Sequence, residues 1–69
     1  MSYLPGQRVM FTTANLGLIG RPETVGTRDT GTVLGPGPDE PWVYVEPDAY
    51  PGAVCPVYPS MIVAAKGGE

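Results

Sequence analysis

Histidine is absent from this 69-residue chain, and cysteine, tryptophan and phenylalanine occur once each. Without an imidazole, the commonest general base and metal ligand is missing. A single thiol forms no internal disulfide, and one Cys with no His makes no standard structural zinc site. Cys55 lies between Val54 and Pro56 with no basic neighbour in sequence. Its expected role is that of a small buried hydrophobe. Basic residues are nearly as scarce. Arg8, Arg21 and Arg28 precede residue 29, and no Lys or Arg occurs from 29 to 65, where Asp29, Asp39, Glu40, Glu46 and Asp48 all fall. Such a layout repels a phosphate backbone, which needs clustered bases to release its counterions. Keeping a small β-protein soluble is the plainer role for these acids.

Uninterrupted helix-forming sequence is missing too. Nine prolines and ten glycines are spread so that no window of a dozen residues is free of both. Helices are therefore excluded, and the expected class is all-β. No apolar run approaches the length of a membrane span. The opening Met-Ser-Tyr-Leu-Pro-Gly lacks the basic stretch and apolar core of a secretion signal. With only one cysteine, nothing suggests an oxidising compartment. The expected location is the cytoplasm, or a particle assembled inside a cell. One Lys, one Asn and two Ile beside abundant Val, Gly, Pro and Ala suggest a GC-rich genome, that of a high-GC bacterium or a bacteriophage. The length fits one small domain over residues 1 to 69, near the lower limit for folding without staples.

What is present reads as five short strands. Gln7 to Thr12 follows the Pro5-Gly6 turn, with Val9 and Phe11 on one face. Residues 13 to 28 form a long first loop, interrupted by Gly17, Gly20, Pro22 and Gly26. Leu16, Leu18 and Ile19 are too apolar for a free loop. They are expected to fold over one end of the core, or to dock on a neighbouring subunit. Gly31 to Leu34 and Trp42 to Glu46 then face each other across a Gly/Pro-rich central hairpin, with Val33, Val43 and Val45 inward. Period-two alternation puts Trp42, Tyr44 and Glu46 on the outer face. Val54 to Val57 makes a fourth strand, in which Pro56 demands an edge or a bulge. A short turn at Pro59-Ser60, of 3₁₀ type, leads to Met61 to Ala65, and 66 to 69 is expected to be a frayed tail.

This arrangement resembles the Src-homology-3-like small β-barrel over roughly residues 5 to 65. The carriers are "PGQRVMF", "GTRDTGTVLG", "WVYVE" and "YPSMIV". The first two are most similar to bacterial KOW-type and nitrile-hydratase-accessory barrels, in which a Gly-x-x-Val start precedes a Gly-x-Val strand. The last is similar to the Pro-Ser-x-x-Val turn of signalling domains. The acidic, tyrosine-rich first-loop motif of those signalling domains is missing, as is the tandem Trp pair. The resemblance thus implies a five-stranded barrel and not proline-rich ligand recognition; fold alone confers no function.

No catalytic constellation emerges. Asp39-Glu40 and Glu46-x-Asp48 lack the oxygen-ligand spacing of a calcium loop and read as solvated turns. The prolines of Gly35-Pro36-Gly37-Pro38 remove the amide donors that a phosphate cradle requires. An enzyme is not expected, nor is a cofactor or a metal. The remaining constellation is aromatic: Trp42 and Tyr44, joined by Tyr50 and Tyr58 from adjacent connections, with Met10 or Leu34 as cross-strand neighbours. Exposed aromatic clusters anchor protein interfaces. With Glu46 and Asp48 alongside, such a cluster holds a cation by cation–π attraction. Alternatively, the first loop wraps Trp42 into a second core.

The leading expectation is a non-enzymatic protein-binding module using Trp42, Tyr44, Glu46, Asp48, Tyr50 and Tyr58, with the acidic hairpin tip at Asp39-Glu40 as a further contact. The first alternative is a small structural subunit of a larger assembly, such as a bacteriophage particle or an enzyme complex. It rests on the marginal core and the apolar long loop. A second is a weak nucleic-acid-binding KOW-like domain with Arg8, Arg21 and Arg28 along one edge and aromatics for base stacking. An acidic mimic of DNA fits the charge layout, although five acids over residues 29 to 65 are sparse for one.

Overall fold

The computed structural model describes residues 3–65. All regular structure in them is β, apart from a single 3₁₀ turn at Pro59–Met61. The strands are β1 (Arg8–Phe11), β2 (Leu16–Leu18), β3 (Arg21–Val25), β4 (Thr30–Pro36), β5 (Val43–Pro47), β6 (Cys55–Val57) and β7 (Ile62–Ala64). Five of them form one sheet in the order β6-β5-β4-β1-β7, while β2 and β3 pair separately. Every pairing is antiparallel. The expected frayed tail at 66 to 69 lies outside the described residues.

The five expected strands all appear in the larger sheet, each within a few residues of its expected bounds. Alternation explains why. Val9 and Phe11 of β1, Val33 of β4, Val43 and Val45 of β5, and Cys55 and Val57 of β6 all point into one core, with Ile62 of β7. Pro56 lies in an edge strand, where its missing N–H costs no ladder bond.

Two expectations are corrected. The sheets are not closed into a barrel. Edge strands β6 and β7 stay apart in the sheet order. The long first loop is also no loop. Residues 16 to 25 form the β2–β3 hairpin, with Leu16 opposite Val25 and an irregularity between Gly17 and Leu18. Leu18 and Val25 enter the core and Leu16 packs against it, so the segment does fold back over the sheet. It is tied there by the Ile19 amide, which donates to the Val54 carbonyl at 2.9 Å. Ile19 itself stays 54% exposed.

Gly31 is required by close packing. A Cβ there would stand 2.6 Å from the Glu46 carbonyl oxygen and 2.8 Å from Val45 Cγ1. Beyond Val33 the β4–β5 register shifts, with Val33 opposite Val45 but Gly35 opposite Tyr44. The extra residue is Leu34, a bulge that turns the end of β4 toward the central hairpin.

Cys55 is fully buried. Burial pushes its thiol up to about 11, because the thiolate is poorly solvated there. The folded protein is expected to resist a maleimide at pH 7.5 and to react stoichiometrically in denaturant. Rapid labelling under native conditions would contradict the burial.

Candidate functional site

The site is assembled from three distant stretches of chain. Trp42 stands just before β5, where its amide donates to the Asp39 carbonyl and its carbonyl accepts from the Gly37 amide, both at 2.8 Å. These bonds close the hairpin tip and fix the backbone that carries the indole. Tyr58 follows β6 and meets Trp42 edge to face, with ring centroids 4.3 Å apart and planes at 65°. Such a pair adds about 0.5–1.5 kcal/mol beyond the area it buries. The third stretch is the N-terminal segment. It is held by the Gly6 amide on the Val33 carbonyl (2.7 Å), the Gln7 amide on that of Leu4 (3.1 Å), and Tyr3 Oη donating to the Ile62 carbonyl (3.3 Å).

Between these stretches runs an open groove of about 570 Å³, walled by Tyr3, Pro36, Pro41, Trp42 and Pro59. Glu40 is the one charged residue among the described residues that line it. No residue of 13 to 28 lines the groove. Leu4, also on the lining, is 67% exposed.

Gly37 positions the indole. A Cβ there would stand 2.6 Å from the Trp42 Cβ and 2.9 Å from its carbonyl carbon. Gly37→Ala is expected to displace Trp42, at a cost of about 1–3 kcal/mol. Near-UV circular dichroism of the lone Trp should change while the far-UV spectrum is retained. An unchanged near-UV spectrum would contradict the contact.

The six expected binding residues fall into separate places. Trp42 and Tyr58 meet, as described. Tyr44 is half-buried on the outer face of β5, opposite Gly35 on one side and Pro56 on the other. Glu46 accepts from the Gly52 amide through Oε2 at 2.7 Å, bracing the turn after β5. Tyr50 packs against the core, and the Arg21 guanidinium sits over its ring at 5.6 Å. Asp48 is clasped by both terminal nitrogens of Arg8 and by Thr30 Oγ1 (2.6 Å), and the same Arg8 donates to Thr32 Oγ1 at 2.7 Å. Asp48 thus ties the end of β5 to β1 and β4, Glu46 braces the following turn, and neither lines the groove. Of the two proposed neighbours, Leu34 adjoins Tyr44 at the bulge, whereas Met10 lies opposite Val63 of β7. Glu40 belongs to the acidic hairpin tip that the sequence offers as a contact, whereas Tyr3, Leu4, Pro36, Pro41 and Pro59 are not among the expected residues; only the proline-dense hairpin carries any sequence signal for them.

Hydrogen bonds from Arg8 and then Thr30 hold the Asp48 carboxyl at about 2, below its ordinary 3.8. A depressed folded-state value stabilises the protein above the unfolded value, and that contribution disappears as pH falls from 3.8 toward 2. Both side chains are well exposed, so the effect is small. Asp48→Asn is expected to flatten this part of the acid-stability profile, measured by urea unfolding against pH. A profile as steep as wild type would contradict the pairing.

Arg8 and Arg21 are therefore both occupied, Arg21 also by Glu23 at 3.1 Å. Among the described residues, no three metal-ligating side chains come together, and no helix is long and apolar enough to cross a membrane. Comparison of the chain with protein-family models, curated proteins and solved structures finds no match.

Proposed function

We propose that this domain is a non-enzymatic protein-binding module and that the groove beside Trp42 is its docking site. The observation that carries this reading is Trp42 at the wall of an open, largely apolar groove, held edge to face by Tyr58 beside it. Aromatic side chains held rigid at a concave surface are the usual energetic anchors of protein interfaces, because they bury much area with little loss of entropy. Exposed Leu4 on the lining and exposed Tyr58 beside it add to the apolar surface. The proposed site thus keeps Trp42, Tyr58 and the acidic tip at Glu40, leaves out Tyr44, Glu46, Asp48 and Tyr50, and adds Tyr3.

The proposal includes kinship with Src-homology-3-like small barrels, in a form whose sheets stay open. Its support is that the four strands carrying the sequence resemblance, β1, β4, β5 and β7, lie in one antiparallel sheet. It also includes action in the cytoplasm or within a particle assembled there. Nucleic-acid binding is not proposed, since two of the three arginines that motivated it have carboxylate partners.

The test is a nuclease-treated pull-down from lysate of the source organism, comparing wild type with a Trp42→Ala variant of verified fold. A protein retained by wild type and lost with Trp42→Ala supports the reading. Equal retention by both forms, or none by either, contradicts it. A structural-subunit reading draws on Ile19 and Val63, exposed by 54% and 42% and absent from the groove lining. It predicts concentration-dependent oligomers in sedimentation, and a clean monomer at high concentration counts against it.

A further inference from the structure

We infer that the groove selects a protein segment carrying a lysine or arginine next to an apolar residue, with Glu40 as the countercharge that determines specificity. This rests on the groove being the docking site.

Charge complementarity carries the inference. Glu40 lies on a wall otherwise made of proline, aromatic, glycine and aliphatic residues, and exposed Asp39 precedes it. The lining residues fall within 3 to 5, 35 to 43 and at 59, and none of these is basic. Arg8 is bound to Asp48, and Arg21 is bound to Glu23 and lies over Tyr50. No described ion pair involves Glu40 or Asp39. Among the described residues, the groove therefore carries negative charge that no ion pair neutralises.

A lysine or arginine suits both features of such a surface. Its methylene stem lies against Trp42 and the prolines while its charged head reaches the carboxylate. The indole face adds attraction for the cation. An adjacent apolar residue fills the remaining width of the groove and removes water from it. An acidic segment would meet Glu40 and Asp39 as like charges and be rejected. Glu40 is exposed at the hairpin tip, outside the core, so changing it leaves the fold in place.

The experiment selects a random heptapeptide display library against the full chain, in parallel with Glu40→Gln and Glu40→Lys. Equal thermal melts verify the folds. Wild type is expected to enrich Lys or Arg beside Leu, Met or an aromatic residue. The tightest synthetic peptide should bind Glu40→Gln roughly fivefold to tenfold more weakly, and its wild-type affinity should fall with added salt. Glu40→Lys should lose the basic preference. Enriched peptides without basic residues, or equal affinity for wild type and Glu40→Gln, would overturn the inference while leaving the docking site standing. No enrichment over a Trp42→Ala control would remove the docking site itself, and the inference with it.

Discussion

Phe11→Ala is expected to cost the domain a large share of its stability and to lower its melting temperature by tens of degrees. Phe11 is the only phenylalanine, is fully buried, and heads the largest buried side chains. It faces Ile62 across β1 and β7. Its backbone is engaged as well: its amide donates to the Asp29 carbonyl and its carbonyl accepts from the Arg28 amide, both at 2.8 Å. Removing a buried phenyl ring costs about 3–5 kcal/mol in lost transfer energy and residual cavity. A chain of this length has roughly 3–10 kcal/mol of stability in all. The loss therefore takes a large share of it, and no disulfide limits the unfolded state. Thermal melting by far-UV circular dichroism measures this, with exposed Val63→Ala as the control that changes little. A cooperative Phe11→Ala transition within a few degrees of wild type would mean the core is not organised around this ring.

Gly31→Ala should be the other severe substitution, although it adds only one methyl group. Its Cβ would enter the space between β4 and β5, within 2.6 Å of the Glu46 carbonyl oxygen and 2.8 Å of Val45 Cγ1. The nearest atom belongs to backbone, which no side-chain rotation can clear. The strands must separate where Gly31 pairs with Pro47, next to the Asp48–Arg8 clasp. Overpacking of this kind costs about 1–3 kcal/mol, and the rigidity of the obstacle favours the upper end. Urea unfolding should show a lower midpoint with an unchanged slope. An unchanged midpoint would show that the β4–β5 spacing has slack. Gly37→Ala is the local counterpart: its clash is with Trp42 at the hairpin tip, outside the core.

The larger sheet was legible because its strands keep strict alternation. Arg8-Val9-Met10-Phe11 and Val43-Tyr44-Val45-Glu46 each place apolar residues at period two, and Pro56 correctly marked an edge. The β2–β3 hairpin was not legible for the opposite reason. Leu16-Gly17-Leu18 is only three residues long, and Arg21-Pro22-Glu23-Thr24-Val25 has a single core residue at its end. Glycines and a proline there imitate a loop. Closure of the sheet was a topological assumption, since strand alternation says nothing about whether outer strands meet. The site shows the same division. Trp42 and Tyr58 stood out as aromatics, but the groove joins residues from 3 to 5, the hairpin and Pro59, which share no motif. The role of Asp48 depended on Arg8, forty positions earlier, a pairing that local spacing does not encode.

The most direct test of the docking site is an amide and indole chemical-shift map of the ¹⁵N-labelled protein titrated with the tightest library peptide. The account predicts that the Trp42 indole N–H, Tyr3, Leu4 and Glu40 move most, while Ile19 and Val63 stay still. Largest shifts at Ile19 or Val63, with the Trp42 indole unmoved, would place the binding surface elsewhere.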